Sequence, residues 1–269
     1  MKTLQYVGRA FAKRTTNGEA LKKKEGKIMK KLLAIVMTLT CALALTACGG
    51  GSDKKSEGVM TYEEYANAAL DSEVTIEAYV QAHQSWWDNK VTVYAQDKEG
   101  AYFIYDMPCS EEDAKKLTPG TKIKVKGFKS EWSGEVEIID ATFEIEDGNY
   151  VAPAKDVTDL LGKDELAASM NQYVSFKGLE VVASKDGNGN EAPFLYNWDG
   201  SGEEGNDVYF NVSKDGQVYT FLVRAYLTGT ETEVYQKAKT LNIGDKIDCD
   251  GFLYWYEGPN PHITQITIK

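Results

Sequence analysis

The feature that most restricts the fold is an internal repeat, because a duplicated unit folds twice with the same strand order. The chain aligns with itself in three blocks, at offsets of 100, 116 and 124 residues. The offset is constant within each block and increases from one block to the next. The second copy therefore has its extra residues between the blocks, as expected if a duplicated domain acquires insertions in its surface loops. The matched blocks are Glu64–Ala78 with Asp164–Gly178, Lys98–Gly100 with Lys214–Gly216, and Leu117–Phe128 with Leu241–Phe252.

Capping signals and alternating apolar residues predict the elements of the first copy. Thr61 with Glu64 predicts a helix over about 62–70, and Ser110 with Asp113 predicts a second helix. Alternation predicts five strands, at 74–80, 91–95, 102–106, around 123–125 and from 136 onward. A helix between the third and fourth of five strands is the order of an OB-fold. We therefore expect an all-β protein with short helices, built from two tandem five-stranded OB-fold barrels.

Residues 1–47 have the features of a secretory signal segment. Lys30 and Lys31 precede an apolar run over 32–45, which is too short to span a membrane as a permanent helix. Met29 would by itself begin a signal peptide of ordinary length. The position of the true start therefore stays open between Met1 and Met29.

The four residues that end this segment, Leu45-Thr46-Ala47-Cys48, resemble the lipobox of bacterial lipoproteins. Both copies also carry the pattern Leu-x-x-Gly-x-Lys-Ile-x-x-x-Gly-Phe, and the chain as a whole resembles secreted OB-fold lipoproteins related to the tRNA-anticodon-type OB superfamily. The resemblance implies a diacylglycerol on Cys48, loss of everything before it, and anchoring at the outer face of the cytoplasmic membrane. It also implies a binding scaffold, although a fold alone does not define a ligand.

The repeat and the resemblance together divide the chain into five segments. The predicted segments are a signal region over 1–47, a lipidated tether over 48–60, a first OB domain over 61–150, a linker over 151–163 and a second OB domain over 164–269.

The charge of the mature chain argues against polyanionic partners. Without residues 1–47 the chain holds 20 basic and 39 acidic residues, a formal charge of −19, and Arg224 is its single arginine. Proteins that follow a phosphate backbone need lysine and arginine to neutralise it. Nucleic-acid binding is therefore disfavoured, although a row of lysines at Lys122, Lys124, Lys126 and Lys129 keeps it open.

Two cysteines remain once Cys41 and Cys48 are assigned to the signal segment and the lipid. Cys109 and Cys249 lie in different copies, and an extracytoplasmic compartment would permit a disulfide between them. Cys249 alternates with Ile247, which favours a small core residue instead. Both interpretations stay open at this point.

Aromatic side chains are the candidate ligand contacts, because OB-folds bind on strands two and three and on the adjoining loops. Rings at such a rim are suited to stacking on sugars or bases, while packing inside or between the barrels is the competing interpretation. The candidates are Trp86, Trp87, Trp132, Tyr94, Tyr102, Trp198, Trp255 and Tyr256.

Other motifs give weaker indications. Asp186, Asn188 and Asn190 begin a calcium-loop pattern within the loop 184–207, but Glu191 replaces the glycine that an EF-hand requires. A turn rich in glycine and asparagine is the favoured interpretation. With two histidines and no nucleophile or phosphate-loop motif, nothing indicates an enzyme or a cofactor.

The sequence thus predicts a non-enzymatic, lipid-anchored extracytoplasmic protein that binds a glycan or another protein on aromatic-rimmed OB faces. A nucleic-acid-binding OB-fold lipoprotein is the alternative.

Overall fold

The structure, a computed structural model, describes residues 55–269. The predicted signal segment, Cys48 and the first residues of the tether lie outside the described residues. Within residues 55–269, no helix is long and apolar enough to cross a membrane.

The first barrel has the predicted OB topology. Its strands close in the order β1-β2-β3-β5-β4, with β3 and β5 parallel and a short helix between β3 and β4. The elements are α1 (Tyr62–Asn67), β1 (Glu73–His83), β2 (Lys90–Gln96), β3 (Ala101–Pro108), α2 (Glu111–Ala114), β4 (Thr121–Trp132) and β5 (Glu135–Asn149).

The second barrel repeats this topology. Strands β7, β11, β12, β14 and β13 close a ring through pairing of β11 with β7, and β12 and β14 are the parallel pair. The fold class predicted from the repeat is confirmed. The elements are β6 (Lys155–Asp156), β7 (Tyr173–Val182), β8 (Ser184–Lys185), β9 (Glu191–Ala192), β10 (Leu195–Tyr196), β11 (Val208–Lys214), β12 (Gln217–Val223), α3 (Ala225–Thr228), α4 (Glu233–Ala238), β13 (Lys246–Phe252) and β14 (His262–Ile268), with 3₁₀ turns at Thr158–Leu160 and Asp164–Ser169.

The predicted helix caps are present. The Thr61 hydroxyl accepts the amide of Glu64, whose carboxylate accepts the amide of Thr61, so both donors at the helix start are satisfied. Ser110 caps α2 through the amide of Asp113. Helix α1 is shorter than predicted, because Ala68 is already extended.

Residues 151–163, predicted as a linker, are packed against both barrels. The amide of Ala152 donates to Oε1 of Gln81 in β1, and β6 pairs with β7 of the second barrel. Val157 and Leu161 belong to the second core. The predicted linker is therefore part of the folded unit.

Each barrel has its own apolar core, and each core contains one cysteine. Cys109 lies in the first core and Cys249 in the second, both as free thiols. The structure therefore supports the interpretation of Cys249 as a core residue, and no disulfide joins it to Cys109.

Candidate ligand-binding surface

The outer face of β2 and β3 in the first barrel, the surface by which OB-folds bind ligands, is covered by the second barrel. Tyr94 and Phe103 on this face pack against Phe252 and Tyr254, with ring centroids 4.5 Å apart for Tyr94 and Phe252 and 5.2 Å apart for Phe103 and Tyr254. Tyr94 is 1% exposed. The prediction that Tyr94 contacts a ligand is therefore corrected: its ring forms the contact between the barrels.

Tyr102 is also corrected, for a different reason. Its side chain points into the first barrel, where it packs edge-on against the rings of Tyr62 and Tyr65 in α1. Its hydroxyl donates to the buried carboxylate of Asp97 at 3.1 Å, and burial, followed by the charge of Asp97, raises the pKa of this phenol. Tyr102 joins α1 to the barrel and does not reach a surface.

The loop between β1 and β2 presents the two adjacent tryptophans to opposite sides. Trp86 is half-buried, and its indole nitrogen donates to the carbonyl of Cys109 at 2.8 Å, which fixes the loop against the end of β3. Trp87 begins a two-residue turn in which Asp88 and Asn89 have φ angles of 49° and 58°. Left-handed residues at both central positions make a tight hairpin turn. Trp87, 60% exposed, is held on this turn.

A tyrosine of the second barrel lies next to this loop. The amide and the hydroxyl of Ser85 both donate to the carbonyl of Tyr226 in α3, at 2.6 and 3.1 Å. Tyr226 is 44% exposed. We name Trp87, Tyr226 and the loop 84–90 the upper aromatic surface. Tyr226 could not be predicted from the sequence as a surface ring, because a four-residue helix has no periodicity that could mark it.

A second aromatic group lies where the β4–β5 loop of the first barrel meets the β13–β14 loop of the second. The amide of Glu257 donates to the carbonyl of Ser133, and the amide of Trp255 donates to Oε2 of Glu135. Trp255 is half-buried and covers Gly134, whose added Cβ would lie 2.8 Å from the indole. Trp132 and Tyr256 are more exposed. The structure therefore brings three of the predicted aromatic residues together here.

Trp198 lies in the long loop of the second barrel and is 75% exposed. In the same loop the carboxylate of Asp186 accepts the amides of Asn188 and Asn190 and the side-chain amide of Asn190. Its oxygens thus stabilise a turn. Among the described residues, no cluster of potential metal ligands is found.

The lysine row is occupied by contacts within the first barrel. Lys122 binds Glu77 and Glu146 at 2.9 Å each, and Lys126 binds Glu73 at 3.1 Å. The buried ammonium of Lys129 donates to three carbonyls at the end of α1, those of Tyr65, Ala66 and Ala68. Three of the four lysines are thus committed to structural contacts.

No protein-family model and no curated protein sequence matches the chain. Solved structures do match it. A murine DNA-binding protein bound to double-stranded DNA is 12% identical, with 72% of this chain and 90% of that chain covered and a TM-score of 0.33. The single-stranded DNA-binding protein from Thermus aquaticus is also 12% identical, with 75% and 94% covered and a TM-score of 0.24. The fold assignment rests on the strand pairing, and at these scores the similarities say nothing about a ligand.

Proposed function

We propose that the chain is a non-enzymatic, extracytoplasmic binding protein, anchored to the cytoplasmic membrane by a lipid on Cys48. The support for the anchor is the sequence Leu45-Thr46-Ala47-Cys48 after a basic and apolar segment. The short polar sequence between Cys48 and Lys55 then acts as the tether.

The proposed ligand is a neutral glycan, bound at the upper aromatic surface. The observation that carries this proposal is the display of Trp87 on a rigid turn beside Tyr226, on a loop that OB-folds use for binding. An exposed ring on a fixed backbone can stack on the apolar face of a sugar with little loss of conformational entropy. Asp88, Asn89 and Gln84 supply donors and acceptors for hydroxyl groups around it.

Charge supports a neutral ligand over a polyanion. Both barrels are acidic, with nine lysines against twenty acidic residues over 55–150 and ten basic against eighteen acidic residues over 151–269. Because nucleic-acid affinity depends on phosphate neutralisation, such surfaces repel a phosphate backbone.

The test is titration of the protein with cell-wall and dietary glycans and with single-stranded oligonucleotides, at two salt concentrations. We expect glycan binding that changes little with salt and weakens about fivefold in Trp87→Ala, since one stacking contact contributes about 1 kcal/mol. Trp198→Ala is the control, because it removes another exposed tryptophan, in the long loop of the second barrel.

Two results would contradict the ligand proposal. Oligonucleotide binding that persists at physiological salt without a glycan response would replace it with the nucleic-acid alternative. Equal losses in Trp87→Ala and Trp198→Ala would move the site away from the upper surface.

The anchor is tested separately. Cys48→Ala should release the protein from the membrane fraction into the medium and abolish its partitioning into detergent. An unchanged distribution would refute the lipid anchor without bearing on the ligand.

A further inference from the structure

Four large apolar side chains are exposed near one end of the first barrel. Leu70, Phe128, Trp132 and Tyr256 are between 40% and 53% exposed, and we name them the lower apolar patch. Exposed apolar residues grouped at one place mark interaction surfaces more often than single ones do.

Backbone contacts place the four residues along the end of β4 and its hairpin. Phe128 and Trp132 both lie on the outward face of β4, two alternations apart. The turn that carries Leu70 is hydrogen-bonded to β4 at Lys129, the residue after Phe128. The amide of Asp71 donates to the carbonyl of Lys129, and the amide of Lys129 donates to the carbonyl of Ser72. Tyr256 is next to Glu257, whose amide donates to the carbonyl of Ser133 at 2.7 Å.

The described chain begins at this same end. The ammonium of Lys55 donates to the carbonyl of Glu77 and to Oδ2 of Asp97 in the β2–β3 turn, at 2.8 and 2.6 Å. Because Phe103 of β3 is paired in parallel with Glu137 of β5, Glu135 is level with Ala101. The β4–β5 hairpin with Trp132 and the turn that holds Lys55 are therefore at the same end of the barrel.

The sequence before Lys55 limits how far this end can lie from a lipid on Cys48. Six residues, 49–54, separate the two positions. A fully extended chain advances at most about 3.6 Å per residue, so the reach is roughly 25 Å. This step rests on the proposed lipidation of Cys48.

We infer that the lower apolar patch docks on the surface of the bilayer that holds the lipid anchor. Tryptophan and tyrosine favour the interface between headgroups and acyl chains, and apolar side chains add buried area there. A tether of this length keeps the patch at a millimolar effective concentration relative to the membrane, so a contact too weak for a free protein becomes populated.

The charges around the patch predict the kind of lipid surface. Glu73 and Lys126 form an exposed ion pair beside Phe128, and Asp71, Glu131 and Glu257 add negative charge. Acidic residues around the patch are not attracted to anionic lipid headgroups. Docking is therefore driven by apolar contact and occurs on zwitterionic phosphatidylcholine.

Docking in this orientation leaves the upper aromatic surface open. Strand β2, which joins the β1–β2 loop to the lower end, has seven residues and so spans about 20 Å at about 3.3 Å per residue. Trp87 then points away from the bilayer, and Trp132 lies against it.

The test uses the acylated protein, purified from membranes and reconstituted into phosphatidylcholine vesicles that contain a brominated phosphatidylcholine. Bromine on the acyl chains quenches tryptophans at the bilayer surface. We expect quenching that falls at least twofold in Trp132→Phe and is unchanged in Trp87→Phe. Phe128→Asp, which adds a charge at an exposed position, should also reduce the quenching of Trp132.

Equal quenching in Trp132→Phe and Trp87→Phe, or no quenching of a protein that cosediments with the vesicles, would overturn the inference. The intact mass distinguishes this from failure of the anchor. If the mass shows no diacylglycerol, Cys48 of the mature chain is coupled to a maleimide lipid and the quenching is repeated, which tests the patch by itself.

Discussion

The hydroxyl of Tyr94 in the first barrel lies 2.6 Å from Nδ1 of His262 in the second, in a hydrogen bond that both barrels bury. The imidazole is also stacked on the ring of Tyr254, with centroids 4.4 Å apart. Removal from water, together with the charge of Arg224, holds the pKa of His262 well below its ordinary value. The two barrels are thus joined through a neutral histidine.

Tyr94→Phe should destabilise the protein by about 1 kcal/mol, because it removes a buried hydrogen bond and leaves the ring nitrogen without its partner. Chemical denaturation of the variant and the wild type measures the change. Tyr226→Phe, at an exposed position, is the control and should change the free energy of unfolding by less than about 0.5 kcal/mol. Equal destabilisation of Tyr226→Phe and Tyr94→Phe would contradict a specific contribution of the Tyr94–His262 hydrogen bond to stability.

The stability should fall when the pH is lowered below about 6.5. The unfolded state then takes up a proton at His262, whereas the folded state, with its lowered pKa, does not. The free energy of unfolding should therefore fall as the pH is lowered further, by at most about 1.4 kcal/mol per pH unit for this one proton. His262→Gln should lack this part of the pH dependence, as measured by denaturation at a series of pH values. Parallel curves for the two proteins would show that His262 does not titrate on unfolding.

Lys129→Met should cost about 3 kcal/mol, because three carbonyls at the end of α1 lose the ammonium that binds them. Lys126→Met removes a lysine of the same row whose ion pair with Glu73 is exposed, and should cost less than about 1 kcal/mol. Thermal and chemical unfolding of both variants measure the difference. Similar losses of stability in the two variants would mean that the buried hydrogen bonds of Lys129 stabilise the protein no more than an exposed ion pair does.

Cys109 and Cys249 should both be alkylated when the protein is denatured without a reductant, since each lies in a different core as a free thiol. In the native state labelling should be much slower, because burial raises the pKa of both thiols and removes them from reagent. Peptide mapping identifies the labelled residues. A peptide pair that stays linked until reduction would reveal a disulfide instead.

The strand order could be predicted from the sequence because it depends on patterns that are local and occur twice. The alternation of Ile123 with Val125, and of Ile247 with Cys249, marks the inward positions of β4 and β13. Thr61 with Glu64 marks a helix start through contacts only three residues apart. Such signals do not depend on which surfaces finally meet.

Whether an outward face of a barrel contacts a ligand or the other barrel could not be predicted in this way. An outward aromatic residue such as Tyr94 produces the same alternation whether it faces a ligand or a second barrel. Tyr102 is paired with Ala95 and, like Ala95 and Ile104, faces the first core, whereas alternation alone does not tell which side of a strand is the inner one. Residues 151–163 resembled a linker because their contacts, such as Ala152 with Gln81, join distant parts of the chain.

The covered β2–β3 face of the first barrel has a consequence for competition. Any ligand that approached Tyr94 and Phe103 would have to displace Phe252 and Tyr254, which belong to the same polypeptide and are never diluted away from it. The closed arrangement of the two barrels is favoured over an open one by some equilibrium constant. A ligand of the β2–β3 face would have to be present at a free concentration above its dissociation constant by that same factor. The two halves of the repeat are therefore unequal: the second barrel closes the β2–β3 face of the first, and a ligand of the first barrel can bind only at the loops that this contact leaves open.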